Sequence, residues 1–433
     1  MPKAPRLAVA TLLAGIVPLA ALAAGAAAPI AVSEADHVAL APDVAVGPRG
    51  EIAVLWLDRG VPAPTPKDGH PAEHTHLSSM DLYVAVAADG SNFGPPQRVN
   101  RADGEVWGFA VSRPRIAYGP GGTLHVAYPA NEMQDGIGKP VLTTHYTRST
   151  DGGRTFDAPR RVSTLTDADL SSVIHGGFAS VAAFGTMGVA PDGSVHIIWI
   201  DTRHMRGEKD NGSIYGVVSR DDGRSFTQDR IEAADGVCPC CQLSLAFDAK
   251  SHAYLGSRLV TADGVRMSTV ARADDGTGEF TRRVGTGGAP WHIDGCPLKP
   301  TVLAVRGDAV YTAAHNGAET PPGVMLATSL DGGASFGPAI PAHPGAAVSD
   351  APAIAIAGDA VIVAWHAKTD GPRRVFYRTL DATGAPVGDP VALTDGAETS
   401  QSAALASRTD GRAQIAWQEG QRIYTTAIEA ARP

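Results

Sequence analysis

The residues best suited to chemistry are the four cysteines. Three crowd into Cys238-Pro239-Cys240-Cys241, and the fourth ends Trp291-His292-Ile293-Asp294-Gly295-Cys296. Thiolates and imidazoles together favour soft or borderline ions. Cys238, Cys240, Cys241 and Cys296, joined by His175 and His292, are therefore a candidate site for copper or zinc, although their spacing matches no standard zinc module. The same residues admit a second chemistry. In an oxidising compartment thiols pair as disulfides, and the sequence does not choose among the pairings. A bond from Cys296 to the 238–241 run would close a loop of roughly 55 residues and stabilise the fold by a few kcal/mol. A third chemistry, thiol redox, has the spacing Cys238-x-x-Cys241 but no helix N-terminus to support it.

A repeat positions these side chains. Each unit begins with a short apolar strand, a Gly-containing turn and a second strand ending in Trp or Tyr. A variable loop, a third strand, an Asp/Gly-rich turn and a short fourth strand follow. First strands centre near Val44, Ile116, Val189, Leu245, Val302, Ile354 and Leu405. Second strands end near Trp56, Tyr128, Trp199, Leu255, Thr312, Trp365 and Trp417. The pattern predicts an all-β chain, a β-propeller of four-stranded antiparallel blades. Seven blades are favoured, with six as the alternative. The last unit stops after its third strand, so residues 30–40 are expected to close it as a fourth.

The turn between third and fourth strands carries the most specific motif. Ser149-x-Asp151-x-Gly153-x-x-Phe156 recurs as Ser219-x-Asp221-x-Gly223-x-x-Phe226 and as Ser329-x-Asp331-x-Gly333-x-x-Phe336. In such a hairpin the Asp bonds backbone N–H groups and the Gly takes a positive φ. These turns resemble the Asp boxes of the sialidase superfamily, over roughly residues 42–430, and the resemblance makes Asp151, Asp221 and Asp331 structural. It also implies a test of activity. The family clamps its substrate carboxylate with three arginines, the first usually in Arg-Ile-Pro, and uses a Tyr–Glu pair and an Asp for catalysis. Here Arg115-Ile116-Ala117 lacks the proline, later units offer no convincing second and third arginine, and Tyr377 has no obvious Glu partner. The catalytic set is therefore left unassigned, and a working sialidase is not expected.

In a propeller, first strands begin and second strands end on one face. Loops leading into first strands bring His175 and the two cysteine segments there. Loops leaving second strands bring Asp58, Arg59, His70, His74, His76, Glu132, Asp201, Arg203, His204, His315 and His366. From these, Arg113, Arg115, Asp201, Arg203, His204, His292 and Asp294 are the expected ligand-binding residues. His125, His145 and His196 lie within strands and read as packing or surface residues.

Length and composition limit the alternatives. The 433 residues carry a net charge of −9, which leaves no basic field for nucleic acid. The start reads as a signal peptide over residues 1–26: Lys3 and Arg6, an apolar stretch, then Ala24-Gly25-Ala26 before the cut. The remaining domain, 27–433, is expected to be periplasmic or secreted and monomeric. It has no apolar run long enough for stable membrane insertion. The leading reading is an exported sialidase-like propeller that binds a small molecule, metal or glycan. The alternatives are a glycoside hydrolase of the exo-sialidase type and a structural or protein-interaction propeller stapled by disulfides.

Overall fold

Runs such as Ile52–Asp58 and Val195–Asp201 are apolar almost throughout, and every residue in both is buried. A strand of that kind must be covered on both faces. A computed structural model shows how; it describes residues 26–61, 80–133, 140–164, 180–205, 211–273, 280, 282–293, 295, 297–346 and 348–431. The described residues form strands and connecting turns, with no helix.

β1 (Ile30–Ala31) belongs with the end of the chain. The first complete four-stranded sheet is β2 (Ala39–Val46), β3 (Ile52–Asp58), β4 (Asp81–Ala87) and β5 (Gln97–Arg98). A twelve-stranded sheet follows, made of three successive four-strand runs. The first run is β6 (Arg115–Tyr118), β7 (Leu124–Met133), β8 (Pro140–Ser149) and β9 (Arg160–Arg161). The second is β10 (Ser180–Val189), β11 (Val195–Asp201), β12 (Gly212–Ser219) and β13 (Arg230–Val237). The third is β14 (Ser244–Phe247), β15 (Ala253–Val260), β16 (Arg266–Ala273) and β17 (Arg283–Gly285). Short contacts at the strand ends join the runs: β10 lies parallel to β8 at Val181 and Leu142, and Val237 of β13 pairs with Leu259 of β15.

Two further four-stranded sheets come next. One is β18 (Thr301–Arg306), β19 (Ala309–Asn316), β20 (Gly323–Ser329) and β21 (Ile340–Pro341). The other is β22 (Val348–Ala357), β23 (Ala360–Lys368), β24 (Arg374–Leu380) and β25 (Pro386–Ala392). The last sheet holds β26 (Ser400–Ser407), β27 (Ala413–Glu419), β28 (Arg422–Ile428) and β1. Ile30 pairs with Thr425 and Ala31 with Tyr424, so the N-terminal segment supplies the missing fourth strand.

The hydrophobic clusters run between units rather than within them. One joins β3 and β4 to β7; another joins Tyr146 of β8 to Trp199 of β11. Further clusters link each unit to the next, and one unites Ile423 and Ala416 with Val54 and Trp56. The circuit of cores therefore returns to its start. The first strands likewise touch in chain order, and β26 touches both β22 and β2.

The repeated turns lock neighbouring units together. The Ser149 hydroxyl donates to Asp151 Oδ1 (2.7 Å) and accepts from Gly153 N–H (2.9 Å). The same pair of bonds recurs around Ser219 and Ser329. Glycine is required at 223, where φ is +75° and a Cβ would fall 1.8 Å from the Tyr146 hydroxyl of the preceding unit. Phe226 then meets the Tyr146 ring edge-on, with centroids 4.8 Å apart.

Several second strands run longer than the sequence reading expected: β7 reaches Met133 and β23 reaches Lys368. β15 pairs with β16 as far as Val260, and β19 pairs with β20 as far as Asn316. Glu132, His315 and His366 accordingly lie within strands rather than in the loops beyond them, because their ladders continue past them.

Burial sets a pH response. His125 and His196 are buried, and desolvation pulls each imidazole from 6.5 down to about 4. A group with a depressed cationic pKa leaves the fold most stable above about pH 6.5. Stability falls as pH drops toward 4, because only the unfolded chain takes up the proton. Each histidine contributes about 3 kcal/mol to that fall. Urea midpoints measured from pH 7.5 to 4.5 should decline less steeply in a His125→Gln/His196→Gln variant than in the native chain. Parallel declines would assign the whole effect to carboxylates.

Candidate functional site

β13 ends at Val237, and the chain folds tightly through 238–241 before β14. Cys238 N–H donates to the Arg258 carbonyl (2.9 Å), fixing this turn against β15. Cys238, Cys240 and Cys241 are all buried, with sulfurs within 4.8 Å of one another. The Cys241 thiol donates to Cys238 Sγ at 3.3 Å, and both are free thiols. Cys240 Sγ lies 3.9 Å from Cys238 Sγ, and Cys240 is engaged elsewhere. The hydrogen bond from Cys241 holds the Cys238 thiol down at about 7, aided by the Arg266 and Arg258 charges, while burial pushes Cys241 up.

Arg258 organises the surroundings. Its Nε donates to the Lys299 carbonyl (3.1 Å) and its Nη2 to the His315 carbonyl (2.9 Å). The guanidinium also bonds Cys241 and lies over the Trp291 ring at 5.2 Å. Burial lowers its pKa. Beyond it, the Lys299 ammonium pairs with the Asp350 carboxylate, whose other oxygen is 3.8 Å from His315 Nδ1. Burial works to raise Asp350, but the Lys299 charge prevails and holds it low. His315 Nδ1–H donates to the Ser349 carbonyl (2.9 Å), and His366 Nδ1 accepts from Ser402 N–H (3.4 Å). A polar network thus runs from the two thiols through Arg258 to Asp350.

Beside this network lies an open groove of about 430 Å³. Its walls are the β15–β16 hairpin, the 286–292 segment and the facing ends of β19 and β20, with Arg258 and Arg266 among the lining side chains. His292 is exposed and also lines it.

The other expected ligand-binding residues sit in the scaffold. First strands carry β-bulges at Ala41, Phe184, Ala351 and Ser402, with φ of 51°, 52°, 49° and 58°. A bulge re-aims the backbone, and Arg113 spans two of the resulting carbonyls. Its Nη1 donates to Pro42 O and Ala403 O (both 3.0 Å), and Nε and Nη2 donate to Ala110 O. Gln242 caps Gly185 O (3.0 Å) and Arg113 O (2.8 Å) in the same way. Arg115 faces Asp43 at 3.5 Å. Arg113 and Arg115 line a void of about 20 Å³, room for a water and not for a sugar. Asp201 and Arg203 form a buried bidentate pair at 2.7 and 2.9 Å, extended to Asp229 at 2.8 Å. His204 Nε2 is hydrogen-bonded to the Tyr215 hydroxyl (2.6 Å). His175, Asp294 and Cys296, with His70, His74 and His76, lie outside the described residues.

Sequence reasoning passed over Arg258, Arg266, Lys299 and Asp350. A signal existed for two of them: Arg258 interrupts an otherwise apolar run, and Lys299 follows Cys296 closely.

No protein-family model matches the chain, and no curated protein matches it. Many solved structures are similar to it, including these three. One is a polysaccharide lyase described as an ulvan lyase: 11% identity over 91% of this chain and 94% of that one, TM-score 0.56. Another is a protein of unknown function from Dyadobacter fermentans DSM 18053: 14% identity, 93% and 98% covered, TM-score 0.51. The third is the intramolecular trans-sialidase from Ruminococcus gnavus: 10% identity, 93% and 98% covered, TM-score 0.49. At such identities the likeness is one of fold.

Arg113→Met removes the donors while keeping much of the volume. It leaves buried carbonyls unmet from two different sheets, which costs roughly 2–5 kcal/mol. Equilibrium urea unfolding should show that loss; an unchanged midpoint would show that water meets those carbonyls instead.

Proposed function

We propose that this chain is an exported, sialidase-like β-propeller of seven blades that acts as a binding protein, with a soft metal ion held by Cys238 and Cys241. One observation carries the metal reading: two free, buried thiols converge at 3.3 Å beside two guanidinium groups. Paired thiolates select soft ions such as Cu(I) over hard ones, and neighbouring cations offset the negative charge of a dithiolate complex. Cys240 and Cys296 are proposed to form the disulfide that braces this turn.

Sialic acid hydrolysis is not proposed. The Arg113 donors are committed to backbone carbonyls, and Tyr377 is buried in an apolar cluster. Carbohydrate binding is a second reading. The groove beside Arg258 supports it, as does a fold shared with a polysaccharide lyase.

Anaerobic titration with Cu(I) against a chromophoric chelator should give one ion per chain in the native protein and none in Cys238→Ser/Cys241→Ser. His292→Ala should leave the stoichiometry unchanged. Equal copper in the thiol variant and the native chain would end the metal reading. In denaturant without reductant, two thiols should titrate, and four after reduction.

A fluorogenic sialoside should not be turned over. Robust hydrolysis lost in Arg115→Ala would overturn the binding-protein assignment.

A further inference from the structure

We propose that the groove between the β15–β16 hairpin and the 286–292 segment binds a small hydroxylated carboxylate, a uronate the size of a mono- or disaccharide. This narrows the carbohydrate reading above, rests on it, and needs no metal. The cavity of about 430 Å³ falls in the range of small-ligand sites.

Charge decides the class. Arg266 N–H is tied to the Trp291 carbonyl (2.8 Å), which seats the residue on the groove wall. Its Nη2 donates to the Gly295 carbonyl (3.0 Å), while its Nε is buried with no acceptor among the described residues. Arg258 adds a second positive charge, and its hydrogen bonds go to two carbonyls and a thiol. Neither guanidinium joins an ion pair among the described residues. Among the described residues the one lining carboxylate is Asp263, which is exposed and accepts from the Thr261 hydroxyl. Glu319 sits nearby and accepts from Ala289 N–H (2.8 Å). The Arg266 guanidinium carries its charge on the groove wall with its Nη end exposed, which suits a carboxylate.

The remaining lining fits a sugar body. Ser268 and Thr286 present hydroxyls, Met267 and Met325 present apolar surface for C–H faces, and the Asn316 amide fixes the 286–292 wall by donating to the Ala289 carbonyl (2.9 Å). The chain as a whole is acidic, with a net charge of −9, so long-range attraction does not bring an anion here. Affinity must come from these local cations, and it should weaken with salt.

Calorimetric titration of the whole mature chain at low salt, with D-glucuronate and D-glucose as probes, tests the proposal. Glucuronate should saturate one site and bind at least about tenfold tighter than glucose, the range of one charged hydrogen bond. Arg266→Gln should lose about tenfold for glucuronate and nothing for glucose, with an unchanged melting temperature. Asn316→Ala removes the hydrogen bond that holds the 286–292 wall and should weaken both sugars. Cys238→Ser/Cys241→Ser should bind glucuronate as the native chain does. Equal binding of both sugars, or native affinity in Arg266→Gln, would overturn the carboxylate assignment and leave the carbohydrate reading standing. Binding of neither sugar would overturn both.

Discussion

No sheet in this chain can cover its own faces, and that constraint governs the rest. Each apolar cluster belongs to two neighbouring units, so a unit is stable only where the next one stands against it. The chain must therefore end where it began. β1 meets that requirement with a short ladder to β28, and Val32 and Ala39 extend it through further backbone bonds to Ile423 and Gln421. The cluster uniting Ile423 with Trp56 depends on this closure as much as on its own apolar area.

Closure has a consequence at the middle of the molecule, where first strands crowd together. Their bulges turn carbonyls inward, and a buried carbonyl without a donor is costly. Arg113 and Gln242 answer that need. This is why Arg113, expected from the sequence to bind ligand, serves the backbone here. The free thiols and the groove lie instead in the fourth and fifth units. There Gly256 lets β15 approach β18 so closely that a Cβ would lie 2.6 Å from the Thr301 carbonyl. That approach brings Arg258 within reach of Lys299 and His315 on the neighbouring unit.

The sequence made the repeat legible because its determinants are local. Ser149, Asp151 and Gly153 bond within four positions of one another, so one reading of the motif captures the whole interaction. The closing strand was legible too, since a unit short of one strand must find it elsewhere. The roles of charged residues were not legible, because their partners are distant. Arg113 bonds residues 71 and 290 positions away, and Arg203 meets Asp229 across 26. Asp201-x-Arg203 has the look of a working loop; only the third member shows it to be a buried ion triad. Arg258 was hidden differently. Reading β15 as ending near Leu255 moved the residue out of the strand that aims it.

The thiol pair and the groove share one electrostatic environment. Arg258 touches Cys241 and lines the groove, and the Arg266 charge acts on Cys238 while its side chain forms the groove wall. With Cys238 held at about 7, the metal-free pair carries only part of one negative charge at neutral pH, whereas two thiolates holding a monovalent ion would carry a full one. That charge would draw on the same guanidinium groups as a carboxylate in the groove. Filling either site therefore lowers the positive potential that the other requires. The coupling is reciprocal by thermodynamic necessity, so a metal that weakened uronate binding would be weakened by uronate to the same degree. Such opposition needs no movement of the backbone. It would follow from the placement of the proposed dithiolate and uronate sites on either side of one buried arginine.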